Sequence, residues 1–395
     1  MRIEALTHTG VGRAEDGTLV PRTLPGDEIA LREDGSAQVL TPSSERVAPP
    51  CRHYKACGGC ALQHASDATV AAFKQGVVER ALTAHGLTLP FRELRTSPPR
   101  SRRRAKFAGR RTKKGAMVGF HARGSDTLVA VPNCQLVTPA LTAALPALEE
   151  LTVLAASRRG EVALTVTDSP AGLDVLVETD QPLTDALRID LAALAQRFAR
   201  LTWNDEPIVT RSAPAQAFGP ARVTPPPGAF LQATADGEAA LRDAVLEAVG
   251  DAPRVVDLFA GCGTFTLPLA ARAEVHAVEG EASMLAALDR GWREATGLRR
   301  VTTETRDLFR RPLEPDELRY AAAVIDPPRA GAERQVRALA DSAVSRIAMV
   351  SCNPVTFGRD AALLVQAGFV LDWVQVVDQF RWSAHVEVVA RLTRN

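Results

Sequence analysis

From residue 235 onward, apolar strands alternate with helical stretches, and that rhythm confines this part of the chain to an α/β sheet. Ala235–Val249 reads as a helix stopped by Gly250. Strand Val255–Phe259 then leads to helix Thr264–Ala273, and strand Glu274–Glu279 to helix Ala282–Ala295. Further strands follow at Val301–Arg306, Ala321–Asp326, Ile347–Ser351, Val370–Val377 and Val386–Leu392. Strands separated by helices pair in parallel. The last two have no room for a crossover helix, so they must be antiparallel. The expected class is α/β: a doubly wound, Rossmann-like sheet of seven strands ending in a hairpin.

The Thr224–Pro227 stretch, TPPP, marks the start of this unit, placing it at 224–395. Upstream, residues 1–48 are rich in short β-type runs separated by the turn pairs Asp16-Gly17, Pro25-Gly26 and Asp34-Gly35. They predict a small barrel of hairpins. Ser43-Ser44 and Pro49-Pro50 read as a linker. Residues 49–223 hold a cysteine cluster, a helix over Ala68–His85, short strands and a helical stretch near Leu183–Ala199, which predicts a central α+β domain. A length of 395 residues accommodates three such units. No apolar run approaches the roughly 18–20 residues of a membrane span. The opening MRIEALTHTG has an early acid and no apolar core, so it is not read as a secretory signal. Six cysteines are too few for a disulfide scaffold. The expectation is a cytoplasmic protein that uses its thiols chemically and has no membrane partner.

A net charge of +1 argues against a polyanionic partner until it is mapped along the chain. Arg100–Lys114 reads RSRRRAKFAGRRTKK, nine basic residues and no acid, which leaves the other 380 residues at a net −8. Such a block, with Arg102, Arg103, Arg104 and Lys106 at its centre, suits a phosphate backbone. A solvated strand face is the plain alternative. Phe107 is the single interleaved aromatic, too little to argue base stacking. Residues 1–50 carry eight acids against five basic residues, so the first unit is a poor nonspecific nucleic-acid clamp.

Three motifs carry chemistry. In Asp257-Leu-Phe-Ala-Gly261-Cys-Gly263-Thr264 a strand enters two glycines and then a helix, which lets a ligand approach the backbone beside a helix N-terminus. Glu279 ends the second strand, where a carboxylate can accept from two ribose hydroxyls. The three-glycine spacing of dinucleotide enzymes is missing, so S-adenosylmethionine is favoured over a nicotinamide cofactor, with packing glycines as the remaining alternative. Asp326-Pro-Pro-Arg329 and Ser351-Cys352-Asn353-Pro354 follow the fourth and fifth strands. Ligands of open α/β sheets sit at the carboxyl ends of strands, so Gly261, Glu279, Asp326 and Cys352 share one rim. Cys352 is a candidate nucleophile there, provided that a base or a lowered pKa supports it; a buried core thiol is the alternative. Finally, Cys51-x5-Cys57-Gly-Gly-Cys60 with the distant Cys134 can supply four thiolates. The uneven spacing favours a [4Fe–4S] cluster over zinc, which usually takes two short-spaced pairs; unliganded core cysteines are the third possibility.

Together these motifs resemble the uracil-C5 RNA methyltransferase family, in its iron–sulfur branch acting on 23S ribosomal RNA. The resemblance spans essentially the whole chain. It rests on Cys51-x5-CGGC-x-L-Q-His64, the Arg102–Arg104 triplet, Phe230-x-Gln232, DLFAGCGTFTLP, DPPRAG, SCNP and His385-Val-Glu387. It implies an OB-like, TRAM-type N-terminal barrel, a central cluster-holding and RNA-binding domain, and a C-terminal class I methyltransferase domain. It further implies cofactor contacts at Gln232, Phe259, Thr264, Glu279, Asp307 and Asp326, cluster ligation by Cys51, Cys57, Cys60 and Cys134, Cys352 as nucleophile and Glu387 as general base, with Asp326 orienting the base or the cofactor. Cys262 is left as a packing residue, and His385 is read as structural. The chain departs from the family pattern at Ser101, Thr234, Thr264 and Arg381. The implied reaction is 5-methyluridine formation through a Cys–C6 adduct on an unstacked base, carried out by a monomer. The competing readings are the same reaction on the transfer RNA T-loop and an RNA-binding iron–sulfur protein with an inactive methyltransferase domain. An amino-group methyltransferase and a nicotinamide oxidoreductase fit less of the pattern.

Overall fold

The computed structural model describes residues 1–33 and 35–394. Asp34, in the expected Asp34-Gly35 turn, lies outside the described residues. The C-terminal sheet runs, edge to edge, through strands Val301–Thr305, Glu274–Glu279, Arg254–Leu258, Ala322–Ile325, Arg346–Ser351, Glu387–Thr393, Val370–Asp378 and Arg95–Thr96. Five strands from Val301–Thr305 to Arg346–Ser351 pair in parallel, and Glu387–Thr393 is antiparallel to both neighbours. The strand order reverses beside Arg254–Leu258, which opens a crevice at the carboxyl ends of the strands.

Alternate strand residues face opposite layers, because side chains in a strand alternate with a period of two. Val256, Leu258, Val278, Ile347, Met349 and Val388 face helices Glu333–Asp341 and Pro354–Gln366. Val255, Val275, Ala277, Ala348 and Val350 face helices Ala235–Val249 and Ala282–Glu294. The helix expected over Thr264–Ala273 is confined to Thr266–Ala270, since the glycine loop occupies its first turn.

The expected seven strands are eight. Arg95–Thr96 pairs with Val377 and Asp378, and the Ser97 N–H donates to the Asp378 carbonyl at 2.9 Å, covering an edge that would otherwise be open. Helix Asp67–Thr83 also joins this layer through Val78 and Leu82. It approaches helix Pro354–Gln366 so closely that a Cβ on Gly358 would lie 2.6 Å from the Ala81 carbonyl oxygen. The same helix sends Lys74, fully buried, into an ion pair with Asp378. A buried Lys cannot leave its partner without stranding a charge, so this contact fixes the helix to the last hairpin.

A second, seven-stranded sheet occupies the middle of the chain, in the order Glu206–Thr210, Arg200–Trp203, Gly172–Glu178, Glu161–Ser169, Arg104–Thr112, Gly115–His121 and Leu128–Ala130. Leu141, Leu148, Leu151 and Leu191 cover it from helices Pro139–Ala143, Leu145–Ala155 and Asp185–Ala195. At the N-terminus, strands Ile3–Leu6, Gly12–Ala14 and Leu19–Val20 form one small sheet, and Glu28–Leu31 with Ala37–Thr41 a hairpin. An Arg2–Glu28 bridge joins the two around Ile3, Ala14, Val20 and Ile29. Among the described residues no helix is long and apolar enough to cross a membrane.

Candidate active site

The glycine loop is built by backbone conformations that few residues accept. Phe259, Gly261 and Gly263 all have positive φ, at 64°, 55° and 93°. A Cβ on Gly263 would stand 2.8 Å from Leu288, so the loop lies flat on helix Ala282–Glu294. Phe259 adopts the left-handed region without being glycine, at a cost of roughly 1–3 kcal/mol. Its amide and that of Ala260 are held by the Val278 carbonyl at 3.0 and 3.1 Å. The Phe259 ring packs 5.5 Å from Phe309. Glu279 accepts from the Gly261 N–H and the Glu281 N–H, both at 3.0 Å, so its carboxylate is held at the mouth of the loop. Asp257, buried beneath, accepts from the Thr266 hydroxyl at 2.6 Å. Burial pushes its pKa up to about 7 against that bond, with the charges of Asp326 and Glu279 acting in the same direction.

Strand register brings the remaining candidates to the same rim. Ser351 pairs with Val388, so the next positions, Cys352 and Glu387, leave adjacent strands side by side. Asp326 follows Ile325, whose strand pairs with both Leu258 and Met349. The electrostatics report the same crowding. Burial raises Cys352 to about 11, assisted by the charges of Glu387 and Asp326 and opposed by Arg329. Burial and the Asp326 charge raise Glu387 to about 8, opposed by a hydrogen bond from Gln379 and by Arg329. Burial raises Asp326 to about 7. Two carboxyls and a thiol therefore share one corner with the Arg329 guanidinium.

Gln232 lies beside this corner. Its side-chain oxygen accepts from Gln379 at 2.5 Å, and Gln379 in turn accepts from the Ala233 N–H at 2.7 Å. Thr234 caps helix Ala235–Val249 through the Gly237 N–H and meets the Ser97 hydroxyl at 2.7 Å. Thr264 is half-buried in the glycine loop. Asp307 accepts from the Phe309 and Arg310 amides at 3.0 and 3.2 Å, so it organises the loop after the third strand. His385 is tied to Arg329, 2.7 Å from its guanidinium, and the Phe380 ring meets it edge-on. Cys262 is buried against Met284.

The basic triplet has a role that its charge alone did not suggest. Arg103 pairs with the buried Glu238 at 2.5 Å and donates to the Gln232 carbonyl at 3.2 Å. Arg104 donates to the Gly228 carbonyl at 2.8 Å, and Arg102 stacks over Phe380 at 5.7 Å. Arg103 and Arg104 are thus a strut between the central sheet and the Gln232 segment, because their guanidinium groups point into acceptors supplied by residues 228–238. Lys106 faces solvent beside Glu178 at 2.8 Å, and Arg111, Lys113 and Lys114 are exposed at the following hairpin. Phe107 is buried against Phe120 and is not a stacking platform.

The four candidate cluster thiols share one neighbourhood although Cys134 is distant in the chain. Cys60 packs with Tyr54, Leu136, Trp382 and Cys134. Burial pushes the Cys60 thiol up to about 12, and the charges of Cys134, Cys57 and Cys51 act in the same direction. The Gly59 N–H donates to Cys57 Sγ at 3.3 Å and the Leu136 N–H to Cys134 Sγ at 3.4 Å, bonds that favour thiolates. Among the described residues no three Cys, His, Asp or Glu side chains converge closely enough to hold a single metal ion. All four cysteines are free thiols, which leaves them available to a metal group.

Comparison with known proteins follows from this geometry. The model of the tRNA (uracil-5-)-methyltransferase family matches residues 293–395. An uncharacterized RNA methyltransferase of Brucella suis is 44% identical over 393 residues, covering 98% of this chain and 95% of its own. The 23S rRNA (uracil(1939)-C(5))-methyltransferase RlmD of Chromohalobacter salexigens is 34% identical over 429 residues, covering 100% of this chain and 89% of its own. The chain belongs to the RNA (uracil-5-)-methyltransferase family. Its fold matches that of the Pyrococcus abyssi tRNA (uracil-54, C5)-methyltransferase in complex with S-adenosyl-L-homocysteine, with a TM-score of 0.75 over 99% of this chain and 98% of the other, at 20% identity. The likeness extends over the methyltransferase sheet and the domains before it. Gln379, Arg329 and the strut role of Arg103 were not legible as site features in the sequence. The one available signal was a polar Asp378-Gln379 pair directly after the apolar Val376-Val377.

A raised carboxyl pKa makes stability fall with pH. Below the ordinary value of 4.5 Glu387 is protonated in both states; between 4.5 and about 8 the unfolded chain ionises while the folded one does not. Asp257 and Asp326, also raised, contribute the same sign, so both proteins should lose stability across that window, but wild type should lose more of it than Glu387→Gln. Thermal midpoints of both proteins from pH 5 to pH 8.5 check this; parallel curves would contradict it.

Proposed function

We propose that this methyltransferase uses S-adenosylmethionine to convert uridine to 5-methyluridine in 23S ribosomal RNA, with transfer RNA as the second candidate substrate. The observation that carries the reading is the register that sets Cys352 beside Glu387 and Asp326 at the rim next to the glycine loop. Bound S-adenosylmethionine supplies an electrophilic methyl group. Gln232, Phe259, Thr264, Glu279, Asp307 and Asp326 would hold it, with Glu279 taking the ribose hydroxyls. Uracil C5 is a weak nucleophile next to an electrophilic C6. The Cys352 thiolate, its proton released to solvent, adds at C6 and the displaced π pair makes C5 enolate-like, while Asp326 orients the base or the cofactor. After C5 has gained the methyl group, ionised Glu387 removes the C5 proton and the Sγ–C6 bond breaks. Arg329 offsets the negative charge that accumulates. Because Glu387 must be ionised, the rate should rise with pH towards about 8.

The proposed organisation is a TRAM-type barrel over 1–48, a cluster-holding and RNA-binding domain over 49–223, and a methyltransferase domain over 224–395. Cys51, Cys57, Cys60 and Cys134 would hold a [4Fe–4S] cluster whose role is to shape the loop against Trp382; methyl transfer consumes no electron. The ribosomal target is favoured by the name of the Chromohalobacter relative, and the transfer RNA target by that of the family model and the Pyrococcus enzyme. Lys106, Arg111, Lys113 and Lys114 offer the exposed charge for the RNA backbone, and Arg102, Arg103 and Arg104 support it from below.

Labelled S-adenosylmethionine with unmodified 23S RNA and, separately, unmodified transfer RNA separates the targets. Label in 5-methyluridine of 23S RNA, lost by at least a thousandfold in Cys352→Ala, is expected. Transfer RNA labelling alone would reassign the substrate, and undiminished transfer by Cys352→Ala would refute the covalent route. Iron and sulfide analysis of anaerobically purified protein should give about four of each per chain; zinc or no metal would remove the cluster.

A further inference from the structure

We propose that Gln379 is a positioning residue that locks the Gln232 amide towards the cofactor and the Glu387 carboxyl towards the substrate. The inference rests on the methyltransferase reading above. Gln379 is 1% exposed and directly follows strand Val370–Asp378, in which Val377 pairs with Glu387. Its orientation is fixed by logic that needs no hydrogen positions. The Ala233 N–H can only donate, so the atom of Gln379 that meets it at 2.7 Å is the carbonyl oxygen. The amide NH2 then faces Gln232, whose contacting atom at 2.5 Å must accept and is its own oxygen.

Two consequences follow. The Gln232 NH2 is turned away from Gln379 and left for an acceptor in the crevice, such as a cofactor carboxylate or ribose oxygen. The second N–H of Gln379 is left for Glu387, which pairs with Val377, two residues before Gln379, on the neighbouring strand, and a donor there favours the ionised form that the base needs. One buried side chain thus bridges the Gln232 segment and the end of the last hairpin. Arg103 supports the same segment from the other side through the Gln232 carbonyl. The charged and titratable groups facing Glu387 are Asp326, Cys352 and Arg329, and Gln379 is the neutral donor among them.

The test uses the full-length protein and two variants, Gln379→Met, which removes the polar atoms, and Gln379→Glu, which keeps the shape but loses the NH2. Calorimetry with S-adenosylhomocysteine reads the Gln232 side without any turnover. Single-turnover methyl transfer against pH reads the Glu387 side. Both variants should bind S-adenosylhomocysteine about tenfold more weakly. They should also shift the pH midpoint of transfer upward by about one unit, with unfolding midpoints showing that they remain folded. Should Gln379→Met unfold, Gln379→Glu decides alone. Variants that lose rate while keeping both the wild-type affinity and the wild-type pH midpoint would overturn the inference. If wild type binds S-adenosylhomocysteine but methylates no RNA, the functional reading has failed, and the affinities still decide for or against the role of Gln379.

Discussion

The connection between the last two strands must hold a buried carboxylic acid against a thiol, and contacts from distant parts of the chain keep it in place. Lys74, from helix Asp67–Thr83, pairs with Asp378 at its start and donates to the Phe380 carbonyl at 3.0 Å. Ser97 holds the Asp378 carbonyl, and Arg381 reaches back to the Ser97 carbonyl at 3.1 Å. Trp382 takes a left-handed φ of 60°, and its carbonyl accepts from the Ala61 and Leu62 amides at 2.8 and 2.9 Å. Such a conformation persists only where neighbours over-determine it. Removing the Lys74 ammonium alone would strand Asp378, at a cost of about 3–5 kcal/mol.

This arrangement gives the cysteine loop a mechanical connection to the rim. Cys60 and Trp382 share one apolar cluster with Tyr54 and Leu136, and the Tyr54 hydroxyl lies 2.7 Å from the Ala61 carbonyl. A group that fixed the four thiols would also fix the backbone that carries Phe380 to His385. No electron transfer is needed for that contribution. Electrostatics supply the other half of the account. Cys352, Glu387 and Asp326 each have a raised pKa, so they resist ionising together, and an added base that accepts the sulfur removes one charge from the group.

Much of this was legible in the residues. Strand–helix alternation located every strand of the C-terminal sheet except Arg95–Thr96, whose two residues carry no periodic signal and pair only because Asp378 presents an open edge. The glycine loop was readable because its positive-φ turns require those residue types, and Glu279 because it ends the next strand at the mouth of that loop. Arg103 was not, because a basic run looks alike whether it faces solvent or a buried Glu238 some 130 positions away. Gln379 was missed for the same reason: a glutamine acquires a role only through partners that the fold brings to it.

The central claim is that Cys352 attacks uracil C6, and trapping tests it most directly. RNA carrying 5-fluorouridine offers no C5 proton for Glu387 to remove, so the Sγ–C6 bond should persist after methyl transfer. Peptide mass mapping of the denatured complex is predicted to place methylated fluorouridine on Cys352. An adduct on another residue, or turnover without any adduct, would contradict the account.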